Sequence, residues 1–205
     1  NLVSTSEVNN NKTGVINISN SNIRSVYNSN GIVDLNTVTV NGISAEGSGT
    51  TNINGMILNS GSIVNRNSHV INIYDASVEN DWISIYNNNA GSIINIYGGS
   101  FNSTKQNTVS NIGTINIYGG TITSTTGNSI TNTGTVNIGS KDGNVSTEMP
   151  VITGKTYGVN NSDSGKVNFY DGIVSGESGA FYGTINEVEP RYKIVTNKTD
   201  SLTSA

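Results

Sequence analysis

The chain has 205 residues, with 10 Lys and Arg against 14 Asp and Glu, and its net charge of −4 comes without the basic cluster that nucleic-acid or anionic-membrane binding needs. Charged residues make up only 12%, beside 33% apolar residues and 24 glycines, which argues against a charge-rich disordered segment and for a thin, regular core. Cysteine is absent, excluding disulfides and thiolate metal sites, and no apolar run reaches the length of a membrane span.

Residues 1–12 are polar and read as a lead-in, with no hydrophobic core of a signal peptide; a start at Asn1 rather than Met reads as a mature piece of a larger protein. From residue 13 to 186 a near-repeated phrase takes over. It reads Ile16-Asn17-Ile18, Val33-Asp34-Leu35, Thr51-Asn52-Ile53, Ile71-Asn72-Ile73, Ile94-Asn95-Ile96, Ile115-Asn116-Ile117, Val136-Asn137-Ile138 and Val167-Asn168-Phe169. Counted at the third residue, the intervals are 17, 18, 20, 23, 21, 21 and 31 residues. A period near 20 marks a solenoid, with each repeat one turn stacked on the next.

Strand side chains alternate, so the two apolar residues of the phrase face a core and the Asn or Asp between them faces water. Five residues on comes another apolar position: Ile23, Val40, Leu58, Val78, Phe101, Ile122 and Val174. Gly98-Gly99, Gly119-Gly120 and Asp171-Gly172 lie between and suit a tight corner. A third signal, apolar-x-Asn, follows at Val26-Tyr27-Asn28, Ile63-Val64-Asn65, Ile85-Tyr86-Asn87, Val109-Ser110-Asn111, Ile130-Thr131-Asn132 and Val159-Asn160-Asn161. Its Asn belongs inside a corner, bonding the backbone and the Asn of adjacent turns. Three short strands per turn predict an all-β, right-handed parallel β-helix of about eight turns, with one longer turn. At ~4.8 Å per turn the rod is about 35 to 40 Å long. A leucine-rich repeat is disfavoured by a total of four leucines, and a left-handed helix by the uneven turn length.

The longest interval holds an insertion from Lys141 to Pro150, after which Ile152 resumes the second strand. Pro190 marks the end of the solenoid, and residues 187–205 read as a cap or a linker to a following domain, with strand character at Tyr192-Lys193-Ile194-Val195.

Three stretches carry a family resemblance: Gly113-Thr114-Ile115-Asn116-Ile117-Tyr118-Gly119-Gly120-Thr121-Ile122, Gly165-Lys166-Val167-Asn168-Phe169-Tyr170-Asp171-Gly172-Ile173-Val174, and the run from Gly139 to Ser146. They resemble β-helical repeats of adhesin-like surface proteins of Gram-positive, often gut-dwelling, bacteria. The resemblance implies a secreted or wall-attached multidomain parent with a stalk or adhesive role, whose partners are host or bacterial glycans or surface proteins. It carries over no catalytic residues.

Many β-helices act on polysaccharides, which takes two or three converging carboxylates. Asp75 and Asp171 match in register but lie four turns apart, as do Asp81 and Glu177. Glu79 and Asp81 are close together, and a solvated corner is the expectation there. His69, the single histidine, has no visible Cys or His partner and is expected at the surface. The reading is therefore non-enzymatic, with no metal and no cofactor. Two features suit binding. Tyr74, Tyr97 and Tyr118 follow the core residue on consecutive turns, and Tyr170 repeats the position, so an aromatic ladder is expected that either stacks on sugar rings or braces the corner. Trp82 beside Asp81 forms a sugar-binding neighbourhood if exposed; the expectation is that it caps the core.

Overall fold

The structure, a computed structural model, describes residues 6–141, 146 and 148–187. Among them there is no helix, and every strand pairs in parallel with its counterpart on a neighbouring turn. The chain is a parallel β-helix of about eight turns with three faces. The first two faces belong to one 13-stranded sheet, and the third is a nine-stranded sheet running from Glu7–Asn10 to Gly179–Tyr182.

The register of the phrase is exact across turns. Ile71 pairs with Ile94, Ile94 with Ile115, Ile115 with Val136 and Val136 with Val167. The aliphatic residues of each face therefore stack in rows and close a continuous core in which Val33, Leu35, Ile53, Ile71, Ile94, Ile115 and Val136 are wholly buried. Full burial of such a side chain is worth about 1.5–3 kcal/mol. Because each residue packs on its own counterpart one turn away, Ile and Val fit without a helical layer.

Two boundaries differ from the sequence reading. Glu7–Asn10, within the stretch read as a lead-in, is the first strand of the third face and pairs with Ser25–Asn28. Its Val8-Asn9-Asn10 is an early copy of the apolar-x-Asn signal. At the other end Asn186–Glu187 pairs with Asn168 and Phe169, opening a ninth copy of the phrase in which Glu187 hides the pattern. The proposed tail strand at 192–195 and Pro190 lie outside the described residues, as does half of the insertion, residues 142–145 and 147.

Three strands per turn hold only for the later turns. On the first four, phrase and second strand run as one, at Val15–Ile23, Ile32–Val40, Thr50–Leu58 and Val70–Asn80. Their bend is made by a single left-handed residue in the first three (Asn20, Thr37 and Gly55), and the ladder skips only that residue and keeps its register on both sides. Between Ile53 and Met56 the register shifts against Ile73 and Ala76, placing Tyr74 as an extra outward residue. From there the corner becomes a Gly pair. At Gly99 φ is +103°, and an added Cβ would lie 2.5 Å from the Ala76 carbonyl oxygen, so only glycine fits.

The corner asparagines form the expected buried ladder. Asn87 donates to Asn111 at 2.8 Å, Asn111 to Asn132 at 2.7 Å and Asn132 to Asn161 at 2.7 Å. Each also donates to backbone carbonyls, as Asn111 does to Gly113 and Thr135. The amide-to-amide bonds begin at Asn87; Asn65 donates to the His69 and Ile93 carbonyls, and the row itself is broken at Ala45, which stands between Asn28 and Asn65. Here the structure corrects the placement of His69, which is wholly buried. The gap left by Ala45 is filled by a different polar chain. Asn28 Nδ2 donates to Thr51 Oγ1 (3.0 Å), Thr51 Oγ1 bonds His69 Nε2 (3.0 Å), and His69 Nδ1 bonds the Glu46 carbonyl (2.8 Å). An Nδ1-protonated neutral ring satisfies all three. Thr51, the one phrase opening that is not aliphatic, is therefore His69's partner.

Candidate functional site

The outward residue of the phrase makes a second amide ladder, on the first face. Asn186 donates to Asn168 (3.2 Å), Asn168 to Asn137 (2.6 Å), Asn137 to Asn116 (2.7 Å), Asn116 to Asn95 (2.7 Å), Asn95 to Asn72 (2.8 Å), Asn72 to Asn52 (2.8 Å) and Asn52 to Asp34 (2.7 Å). All donors point toward the N-terminal end, whereas the buried ladder donates toward the C-terminal end. Asp34 can only accept, so the outer ladder terminates on its carboxylate, and Asn17 beyond it stands exposed.

Two residues after the ladder asparagine sit the tyrosines, Tyr74 within its strand and Tyr97 and Tyr118 just past the ends of theirs. Tyr74 and Tyr97 have ring centroids 5.0 Å apart and planes 10° apart; Tyr97 and Tyr118 are 5.1 Å and 26° apart. Burial, and then the neighbouring rings, push the Tyr97 hydroxyl above the usual tyrosine range. Tyr170 does not extend this stack. The intervening turn carries Gly139 at the same position, where an added Cβ would meet Asp171 at 2.6–2.8 Å. Ser146 Oγ donates to the Tyr97 carbonyl at 2.7 Å.

Stacking changes what the tyrosines offer. Tyr97 has both ring faces covered by its neighbours, so the strip does not present a row of open faces. Tyr74, at the N-terminal end, is 49% exposed and is stacked on one face alone. On its other side the preceding turns carry no ring: Asn54 and Asn36 follow the core residue there, and Asn54 pairs with Asp75, beside Tyr74. The result is an open concavity of about 310 Å³ lined by Asn17, Asp34, Leu35, Asn36, Asn52, Asn54 and Tyr74. The sequence reading missed this site because it weighed the tyrosines and the Asn row separately. The signal was there in Asn36 and Asn54, which follow Leu35 and Ile53 as Tyr74 follows Ile73.

Trp82 and Asp81 lie elsewhere, after the second strand. Trp82 is 61% exposed and does not cap the core, correcting that expectation. Its backbone N–H donates to Asn80 Oδ1 at 3.2 Å. Asp81 is committed to neighbours, with Lys105 Nζ at 2.6 Å and the Thr104 hydroxyl also bonded to it. Lys105, followed by Thr104, holds its carboxyl below the usual range. The pair is exposed, so it adds little to stability. Glu79 projects outward on the same strand. Among the described residues no group of three or more His, Cys, Asp and Glu converges to hold a metal ion. No helix of the described residues is long and apolar enough to cross a membrane. Comparison of the chain with protein-family models, with curated proteins and with solved structures finds no match.

Proposed function

We propose that the chain is a non-enzymatic structural and adhesive segment of a secreted or cell-surface bacterial protein, a rigid β-solenoid that spaces or presents binding surfaces and is flanked by other domains of its parent. The observation that carries this reading is the outer ladder, in which seven consecutive side-chain amide bonds link Asn186 to Asp34 across the turns. Each such bond contributes about 0.5–1.5 kcal/mol net. They add to backbone ladders on all three faces, so bending the rod breaks several bonds at once. That is what a spacer needs.

The test is display on a cell surface with an epitope fused to the far end of the chain. Epitope capture by antibody-coated beads is expected to fall in steps as whole turns are deleted. Capture that does not depend on turn number would sink the spacer reading.

A second reading, carbohydrate binding, draws on the exposed Tyr74 ring beside the amide rows. Aromatic faces with amides and a carboxylate at their edge match the chemistry of a sugar, which has one apolar face and a rim of hydroxyls.

A further inference from the structure

We propose that the concavity between Tyr74 and Asn17 is a binding site for a single uncharged hexopyranose unit, with the outward face of the Tyr74 ring as its platform. The proposal rests on the adhesive part of the function above and gives it a location. The order of the rows creates the site. The register shift at Asn54 introduces Tyr74 as the first ring, and the turns before it carry short amides instead. The last ring of the stack thus faces a polar hollow rather than another ring.

The polar groups around the hollow keep unused capacity. Asp34 accepts from Asn52 through Oδ1, leaving Oδ2 to accept from a ligand hydroxyl. Asn36 Oδ1 accepts a long bond from Asn54 Nδ2 (3.4 Å), and the Asn36 amino group points to no protein acceptor among the described residues. Asn17 carries both an amide donor and an acceptor at the rim. Adjacent sugar hydroxyls donate and accept in turn, and a carboxylate flanked by amides meets both needs. The volume of about 310 Å³ is at the small end of the range of ligand sites, roughly 300–1,000 Å³, which favours one ring over a chain. The lining has one carboxylate and no cation, which disfavours phosphorylated or acidic ligands. One carboxylate among amides also falls short of a calcium cage.

The test is a titration of ¹⁵N-labelled protein with galactose, glucose, mannose and N-acetylglucosamine, each to tens of millimolar, following the Asn side-chain amides. At least one sugar is expected to give saturable shifts at Asn17, Asn36, Asn52 and Asn54. Tyr74→Ala is expected to weaken that binding by about tenfold or more, and Asp34→Asn by several-fold, while Tyr118→Ala at the other end of the stack stays within about twofold. Asn36→Ala, which removes no ring, repeats the loss if Tyr74→Ala disturbs the corner. Saturable shifts centred on Trp82 instead would overturn this site and leave the adhesive reading standing. No saturable shift with any of the four sugars overturns both the site and the adhesive part, leaving the spacer part to the epitope-capture result.

Discussion

At Thr51 the phrase departs from its aliphatic rule, and the reason lies 18 residues later. Thr51 exchanges a hydrogen bond with buried His69, which fills the space that Ala45 leaves in the asparagine ladder. Desolvation by burial is the main cause that holds the imidazole below its ordinary pKa of 6.5. The nearby Glu46 carboxylate does not offset this, since it is turned to Tyr27 Oη and Arg66, each 3.1 Å away. The unfolded chain therefore binds the proton more readily than the folded one. The stability owed to neutral His69 is complete above about pH 6.5 and is lost as pH falls below it, at no more than about 1.4 kcal/mol per pH unit. Urea midpoints measured from pH 8 to pH 5 are expected to fall, and His69→Gln should flatten that fall between pH 6.5 and 5. A variant with the same slope as the parent would rule His69 out as the cause. The sequence offered the signals, a lone Thr and a lone His, but a neutral His bonded to a Thr across a turn is a tertiary fact. Counting metal or catalytic partners could not find it.

At the scale of the element, the two amide ladders run in opposite directions and sit in different dielectrics. Asn111 is buried, and its Nδ2 satisfies the Asn132 side chain and the carbonyls of Gly113 and Thr135. Asn116 is half-buried and bonds its two neighbours on an outward face. Removing the first leaves acceptors buried without a donor, at about 1–3 kcal/mol for each one affected, whereas water replaces the second. Asn111→Ala is expected to cost about 3 kcal/mol or more and Asn116→Ala about 1 kcal/mol, read from denaturant unfolding. Equal costs would mean that burial does not separate the ladders. Alternation along the strands was enough to assign Asn116 outward and to place Asn111 in a corner. The corner itself was less legible. Gly98-Gly99 announces a break, but Asn20 and Thr37 take the same left-handed role without a glycine, so the long early strands were read as pairs of short ones. Their positive φ is imposed by the pairing on both sides, which local residue type does not reveal.

On the scale of the whole molecule, stability is nearly a sum of turns and of the contacts between neighbours. Residues 94–114 span one such unit of 21 residues, because Ile94 and Ile115 occupy the same register and donate and accept in the same pattern. Deleting them is expected to leave a folded β-helix shorter by about 4.8 Å, with its β circular-dichroism spectrum kept and its maximum dimension in X-ray scattering reduced. Loss of the β spectrum would show that the turns are not interchangeable. By itself the sequence determined the period, the parallel β-helix, the aliphatic rows and both asparagine rows, because each follows from a residue type repeated at a fixed spacing. The tertiary structure decided what the register does sideways. It buried His69, exposed Trp82, tied Asp81 to Lys105 and turned the expected ladder of four tyrosines into a stack of three. It also left one open ring face at Tyr74, where a shift of a single residue against Asn54 ends the stack above a hollow of amides. Such outcomes depend on which side chain lies one turn away, a distance of about 5 Å in space and some 20 residues in sequence, and no local pattern contains it.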